Sequence, residues 1–263
     1  MRNNSRRVGE AMAICLAVVN QKGGVGKSTT AVNLAACLGE LEKRVLLVDI
    51  DPQGNASSGV GIEKNRVQGC MYDVLIEGRA MAEVIQPTAI AGLDVAPATL
   101  DLAGAEIELV AAMSREYRLK SSLSGVEGRY DYILIDAPPS LGLLTINALS
   151  AATGALVPIQ CEYYALEGVS QLMSTVKLVK DHLNPDLEIG GVLMTMYDAR
   201  TNLSQQVVEE VRGYFGDKVF RTIIPRNVRL SEAPSHGQPI TLYDQQCRGA
   251  QAYRQLAREL IGT

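Results

Sequence analysis

The run Gln21-Lys22-Gly23-Gly24-Val25-Gly26-Lys27-Ser28-Thr29 carries the strongest chemical signal in the chain. Its glycines let backbone N–H groups approach phosphate oxygens closely, and a helix opening at this point adds a favourable dipole. In such a loop Lys27 reaches the β- and γ-phosphates of a nucleotide and the Ser28 hydroxyl ligates Mg²⁺. Gly23, Gly24, Val25, Gly26 and Thr29 complete the cradle. The run departs from the common G-x-x-x-x-G-K-[ST] form. Gln21 stands where the first glycine belongs, and a second lysine, Lys22, follows it. A cation there neutralises charge that builds on a transferring phosphoryl group. The start of the loop is a poor place from which to fold back onto the same nucleotide, so the spacing points Lys22 toward a nucleotide on a facing subunit.

Two further segments place carboxylates where apolar strands emerge. Val45–Val48 runs into Asp49-Ile50-Asp51-Pro52-Gln53-Gly54, and Tyr132–Ile135 runs into Asp136-Ala137-Pro138-Pro139. Ligands of open α/β sheets bind at the carboxyl ends of strands. Of Asp49 and Asp51, one is suited to orient the attacking water and the other to hold the Mg²⁺ water shell or the loop itself. Asp136 fits a second carboxylate for Mg²⁺. The prolines after it exclude helix and make a stiff loop, with Ser140 placed to cap the helix that follows.

These residues need strands and helices to hold them. Ala13–Val19, Arg44–Val48, Leu93–Ala96, Tyr132–Ile135, Ala155–Ile159 and Ile189–Met194 are apolar throughout, as parallel strands covered on both faces are. Thr29–Leu41, Leu141–Ala151, Leu166–His182, Ser204–Phe215 and Gly249–Ile261 read as helices. The alternation predicts an α/β fold: a single, doubly wound, mainly parallel sheet with helices on both faces. Residues 1–12 are expected to be a loose arm and residues 13–263 one domain, with Met12 standing where a compact version can begin.

Composition sets the remaining bounds. In 263 residues the net charge is −4, with 47% hydrophobic and 21% charged residues. That excludes a largely disordered chain and binding of nucleic acid through bulk positive charge. The apolar run Ala11–Val19 is too short to span a membrane and leads straight into the glycine loop. The five cysteines are scattered and contain no C-x-x-C pair, which argues for reduced thiols rather than disulfides or zinc.

KGGVGKST at Lys22–Thr29, VDIDPQGN at Val48–Asn55, YDYILIDAPPSLG at Tyr130–Gly142 and PRNVRLSEAPSHG at Pro225–Gly237 together resemble the ParA/Soj chromosome- and plasmid-partitioning ATPases. These belong to the deviant Walker A branch of P-loop proteins, beside MinD and the nitrogenase iron protein. The resemblance runs from about Ala13 onward. It implies ATP and Mg²⁺ as ligands and Lys22 as the lysine that crosses an ATP-sandwich homodimer. It implies Lys27 as the phosphate-loop lysine, Ser28 as the Mg²⁺ ligand, and Asp51 and Asp136 as the switch I and switch II aspartates. Pro225 and Asn227 fall in the segment that contacts adenine in relatives. The family's ATP dimer coats double-stranded DNA without sequence preference, and a ParB-type partner stimulates hydrolysis and release. A cytoplasmic, nucleoid-associated protein with no membrane association is implied.

Seven basic residues, Lys218, Arg221, Arg226, Arg229, Arg248, Arg254 and Arg258, stand between positions 218 and 258 against two acids, Glu232 and Asp244. On one face they would bind phosphates in a salt-sensitive way. Arg200 and Arg229 occupy positions that face DNA in relatives. Two other readings are kept. A MinD-like membrane switch needs a terminal amphipathic helix with a bulky apolar face. An iron–sulfur carrier needs a cysteine soon after Asp136, and the next is Cys161.

Overall fold

The computed structural model describes residues 13–163 and 165–262. The expected arm, 1–12, lies outside the described residues. Eight strands form one sheet: β1 (Ile14–Val18), β2 (Val45–Asp49), β3 (Gln86–Pro87), β4 (Leu93–Ala96), β5 (Tyr132–Asp136), β6 (Gly154–Gln160), β7 (Glu188–Tyr197) and β8 (Val219–Pro225). Their order is β3-β4-β2-β5-β1-β6-β7-β8. Every pairing is parallel except β3 with β4 at one edge. The chain reverses its direction of winding at β1, between β5 and β6. That crevice at the strand ends is where such sheets bind ligands.

The helices are α1 (Lys27–Glu40), α2 (Asn55–Gly59), α3 (Met81–Val84), α4 (Leu102–Leu109), α5 (Arg118–Leu123), α6 (Leu143–Ala151), α7 (Glu167–His182), α8 (Asn202–Phe215), α9 (Val228–Glu232), α10 (Ile240–Tyr243) and α11 (Arg248–Ile261). Successive strand residues alternate between two cores. Cys15 and Ala17 of β1, Leu46 and Val48 of β2 and Ile133 and Ile135 of β5 join the core beneath α4–α8. Leu16 and Val18, Val45 and Leu47, and Tyr132 and Leu134 join the core beneath α1 and α11. Burial on both faces explains why these strands read as unbroken apolar runs.

Two expectations need correction. The sequence reading has no strand between Met194 and the last helix, yet β8 is there. Arg221 interrupts its apolar run because β8 is the sheet edge and is only partly buried. Ser140 does not cap α6. Gly142 takes the N-cap position, and the Ser140 carbonyl accepts a 2.6 Å bond from the Thr145 hydroxyl. Ala250, Tyr253, Leu256 and Ala257 of α11 are buried in the core. Among the described residues no helix is long and apolar enough to cross a membrane.

Candidate functional site

The phosphate loop joins β1 to α1. Gly24 (φ +73°) and Gly26 (φ +91°) adopt left-handed backbone that side chains disfavour. Gly26 is the N-cap of α1 and supplies no side-chain cap, so the first N–H groups of a 14-residue helix stay available to an anion. The loop is pinned from behind. Thr195 Oγ1 of β7 donates to the Val25 carbonyl at 2.8 Å. Asn20 donates through Nδ2 to the Pro158 carbonyl at 2.8 Å and accepts from Lys22 N at 3.0 Å.

Lys27 is only 7% exposed, and its Nζ donates to the Lys22 carbonyl at 3.1 Å. Burial pulls its pKa below the usual lysine range, while Asp136 and Asp51 hold the charge in place. A cleft of about 540 Å³ opens in front, lined by Gly23, Gly24, Gly26, Lys27, Ser28 and Thr29, with Asp51 among the facing residues. Val25 does not line this cleft, and its side chain is buried. Lys22 lines a different groove, with Gln21, Pro139, Ser140 and Gln171. Its side chain is exposed and has no ion pair among the described residues. The two lysines of one loop therefore point to different places.

The carboxylates also separate by role. Asp136 is fully buried, and neither of its oxygens has a hydrogen-bond partner among the described residues. Burial, reinforced by Asp49, raises its pKa well above the ordinary carboxylate range, opposed by Ser28 and Lys27. An orphaned, buried carboxylate beside a hydroxyl and an ammonium suits a hydrated Mg²⁺, which keeps several waters and takes few protein ligands. Asp49, read as a residue for the Mg²⁺ water shell or for the loop, makes its hydrogen bonds to the loop. Its Oδ2 accepts from Ser57 N and Ser57 Oγ, each at 2.7 Å, and its Oδ1 accepts from Asp51 N at 3.1 Å. Burial pushes its pKa up to about 6 against those bonds. Asp51 stays at the cleft wall, holding Gln53 N at 2.9 Å. Among the described residues no group of three or more His, Cys, Asp or Glu side chains could hold a metal ion.

A second cleft, about 410 Å³, adjoins the first and shares Gly26, Thr29, Met196 and Pro234 with it. Pro225 and Asn227 line it, as do Val228 and Tyr253. Its apolar walls and few polar groups suit a flat base. Asn227 is fixed as the N-cap of α9, accepting from Arg229 N at 2.9 Å. Met196, at the shared rim, holds a left-handed φ of +54°, a strained conformation that non-glycine residues adopt chiefly at functional sites. Sequence reasoning missed Thr195, Met196, Ser57 and Pro234. Pro234 lies inside the Pro225–Gly237 run but is given no role there, and Thr195, Met196 and Ser57 belong to none of the quoted runs; only the fold brings them to the loop.

The basic segment is not one face. Lys218 and Arg221 flank the start of β8 and Arg226 and Arg229 lie beyond its end, about 20 Å away at the usual rise per strand residue. Arg254 is held by Glu40 at 2.7 Å. Arg200 makes a two-bond fork with Asp198, and Arg229 pairs with Glu232 at 2.9 Å. Arg200 follows β7 and Arg229 follows the edge strand β8 at the same end of the sheet, where Tyr197 of β7 is in register with Pro225 of β8.

Known proteins bear on this geometry. Residues 13–189 match the family model described as an AAA domain, AAA_31. The chain is 64% identical over 249 residues to the sporulation initiation inhibitor protein Soj of Bacillus subtilis, covering 95% of this chain and 98% of that one. It is 58% identical to the chromosome partitioning protein ParA of Myxococcus xanthus, covering 94% and 87%. The structure of a cobyrinic acid a,c-diamide synthase from Mycobacterium smegmatis with a bound ATP analog and magnesium superposes with a TM-score of 0.84. It shares 38% identity and covers 95% of this chain and 94% of that one. With its deviant phosphate loop, its buried strand-end carboxylates and these relatives, the chain belongs to the Soj/ParA family of chromosome-partitioning P-loop ATPases.

Proposed function

We propose that this protein is a nucleotide-gated DNA switch for chromosome or plasmid segregation. Mg·ATP closes two copies into a sandwich dimer, the dimer binds double-stranded DNA without sequence preference, and a ParB-type partner accelerates hydrolysis and release. The observation that carries the reading is the divergence of the two loop lysines. Lys27 sits in its own cleft, and Lys22 stands outside it, exposed and without an ion pair among the described residues, on a groove with Pro139 and Ser140. A lysine so placed serves a nucleotide held by a facing copy.

In this reading the glycine loop and the α1 N-terminus hold the phosphates, and Lys27 neutralises them. Ser28 and Asp136 hold the Mg²⁺, which supplies charge neutralisation between the phosphates. Asp51 orients the attacking water from the cleft wall, while Asp49 keeps the Asp51 loop in place. Pro225 and Asn227 hold the base. Arg200 and Arg229 contact DNA phosphates. Residues 13–263 act as one ATPase domain, on the nucleoid in the cytoplasm.

The test is DNA binding by Asp51→Ala with ATP, with ADP and without nucleotide, across a salt series. Binding with ATP alone, falling steeply with salt, supports the switch. A protein that dimerises with ATP and never binds DNA overturns it.

A further inference from the structure

The base cleft and the switch I loop meet at two glycines. Gly61 ends the turn after α2, and Gly237 ends the turn Ala233–His236. Both have positive φ, +87° and +63°. A Cβ added at Gly61 would lie 3.2 Å from the Gly237 carbonyl oxygen. One added at Gly237 would lie 3.2 Å from Gly61 Cα and 3.4 Å from the Ser58 carbonyl oxygen. The two backbones pass so closely that a Cβ on either would have to push the other back by a few tenths of an ångström.

Each glycine belongs to a different part of the nucleotide site. On one side, Pro234 of the turn lines both clefts, and Ser235 and Gln238 line the phosphate cleft. The turn's far end is tied to α1 by Asn33, whose Oδ1 accepts from Ile240 N at 2.6 Å and whose Nδ2 donates to the Thr29 carbonyl at 2.7 Å. On the other side, α2 starts directly after the Asp51–Gly54 turn, which closes with Gly54 N donating to the Asp51 carbonyl at 2.8 Å. Within α2, Ser57 is bonded to Asp49 and accepts from Ala98 N at 3.0 Å. A short, stiff helix thus joins Asp51 at one end to the Gly61–Gly237 contact at the other.

We infer that Gly61 and Gly237 are positioning residues that make base occupancy set the position of Asp51, so that the enzyme selects its nucleotide partly in the hydrolytic step. The inference rests on the ATPase reading and adds a selection step to it. A phosphate chain alone is held by the loop and Lys27. A base seated against Pro234 fixes the turn, the turn abuts α2, and α2 carries the Asp51 loop. Packed backbones transmit such displacements because neither can compress.

The experiment compares hydrolysis of ATP and of inorganic tripolyphosphate, with Mg²⁺, by the full chain and by Gly61→Ala, Gly237→Ala and Gly237→Asn. Asparagine tolerates positive φ, so Gly237→Asn separates the contact from backbone strain. Gly213→Ala, on the exposed face of α8 with nothing near its added Cβ, is the control. The wild type is expected to hydrolyse ATP at least about tenfold faster than tripolyphosphate, a barrier difference near 1.4 kcal/mol. The glycine variants are expected to lose that preference: their kcat for ATP falls toward the tripolyphosphate rate. Their tripolyphosphate rate and their affinity for a fluorescent ATP analogue should stay within about threefold of wild type, the split expected when only transition-state positioning is lost. Variants that keep the wild-type ratio, or that lose both rates together, would overturn the inference. A wild type that hydrolyses neither overturns the ATPase reading first, and the inference with it.

Discussion

Asp49 and Asp136 are register partners on the adjacent parallel strands β2 and β5, and both are fully buried. Neighbouring strands lie about 4.8 Å apart, so two like charges face a common low-dielectric region. Lys27 is the cation that the chain itself supplies to Asp136. Asp49 answers the same problem with three hydrogen bonds from the loop it holds.

That pair gives the nucleotide-free protein an unusual acid side. Unfolded, both carboxyls ionise near pH 4, whereas burial pushes Asp49 up to about 6 and Asp136 well above its ordinary range. Between about pH 4 and 6 the folded protein holds more protons than the unfolded chain, so stability falls as pH rises through that window. The Asp49 share is of order 3 kcal/mol. Thermal melts of the wild type and Asp49→Asn from pH 4 to 7, without Mg²⁺, should show a flatter profile for the variant. Parallel profiles would refute the assignment.

Thr195→Val should cost about 1 kcal/mol of stability, the net value of one hydrogen bond, because it removes the 2.8 Å bond that pins Val25. Since that bond fixes the phosphate loop from behind, ATP affinity should drop several-fold as well. Unchanged affinity, read by titration with a fluorescent analogue, would show that β7 does not hold the loop.

Lys27→Ala and Lys22→Ala should fail differently. The first removes a cation from the cleft and should abolish nucleotide binding. The second removes an exposed cation outside the cleft, so monomeric ATP affinity should stay within about threefold while hydrolysis falls by about 100-fold or more, the scale of one lost transition-state contact. Equilibrium binding, light scattering with ATP and phosphate release distinguish the two patterns.

Arg200 is 85% exposed and its fork to Asp198 is open to solvent. Arg200→Ala should therefore change stability by no more than about 0.5 kcal/mol. On the DNA reading it should reduce the slope of log affinity against log salt by about one. The same holds for Arg229, 53% exposed in its pair with Glu232. A slope unchanged in both variants would remove these arginines from the DNA surface.

Most of the scaffold was legible because its strands are buried on both faces and its phosphate loop is a contiguous motif. β2 and β5 are buried at every residue, so no polar position interrupts them. β8 was hidden by its edge position, which lets Arg221 face water. Lys27 and Ser28 were legible because they are adjacent in one loop, and Asp51 because it stands just past a buried strand; the fold puts all three in one cleft. For Asp49, spacing alone could not choose between the two roles left open, the Mg²⁺ water shell or the loop. Its partner Ser57 lies eight residues on, and only the fold of the loop shows that the carboxylate turns inward. Thr195 meets Val25 across 170 residues, a distance no motif records.

Tyr253 of α11 lines the base cleft, and its hydroxyl lies 3.2 Å from Thr30 Oγ1 at the second turn of α1. The residue that walls this cleft is therefore tied to the helix that carries the phosphate loop's lysine. Any slippage of α11 against α1 would reshape the cleft without touching the loop itself.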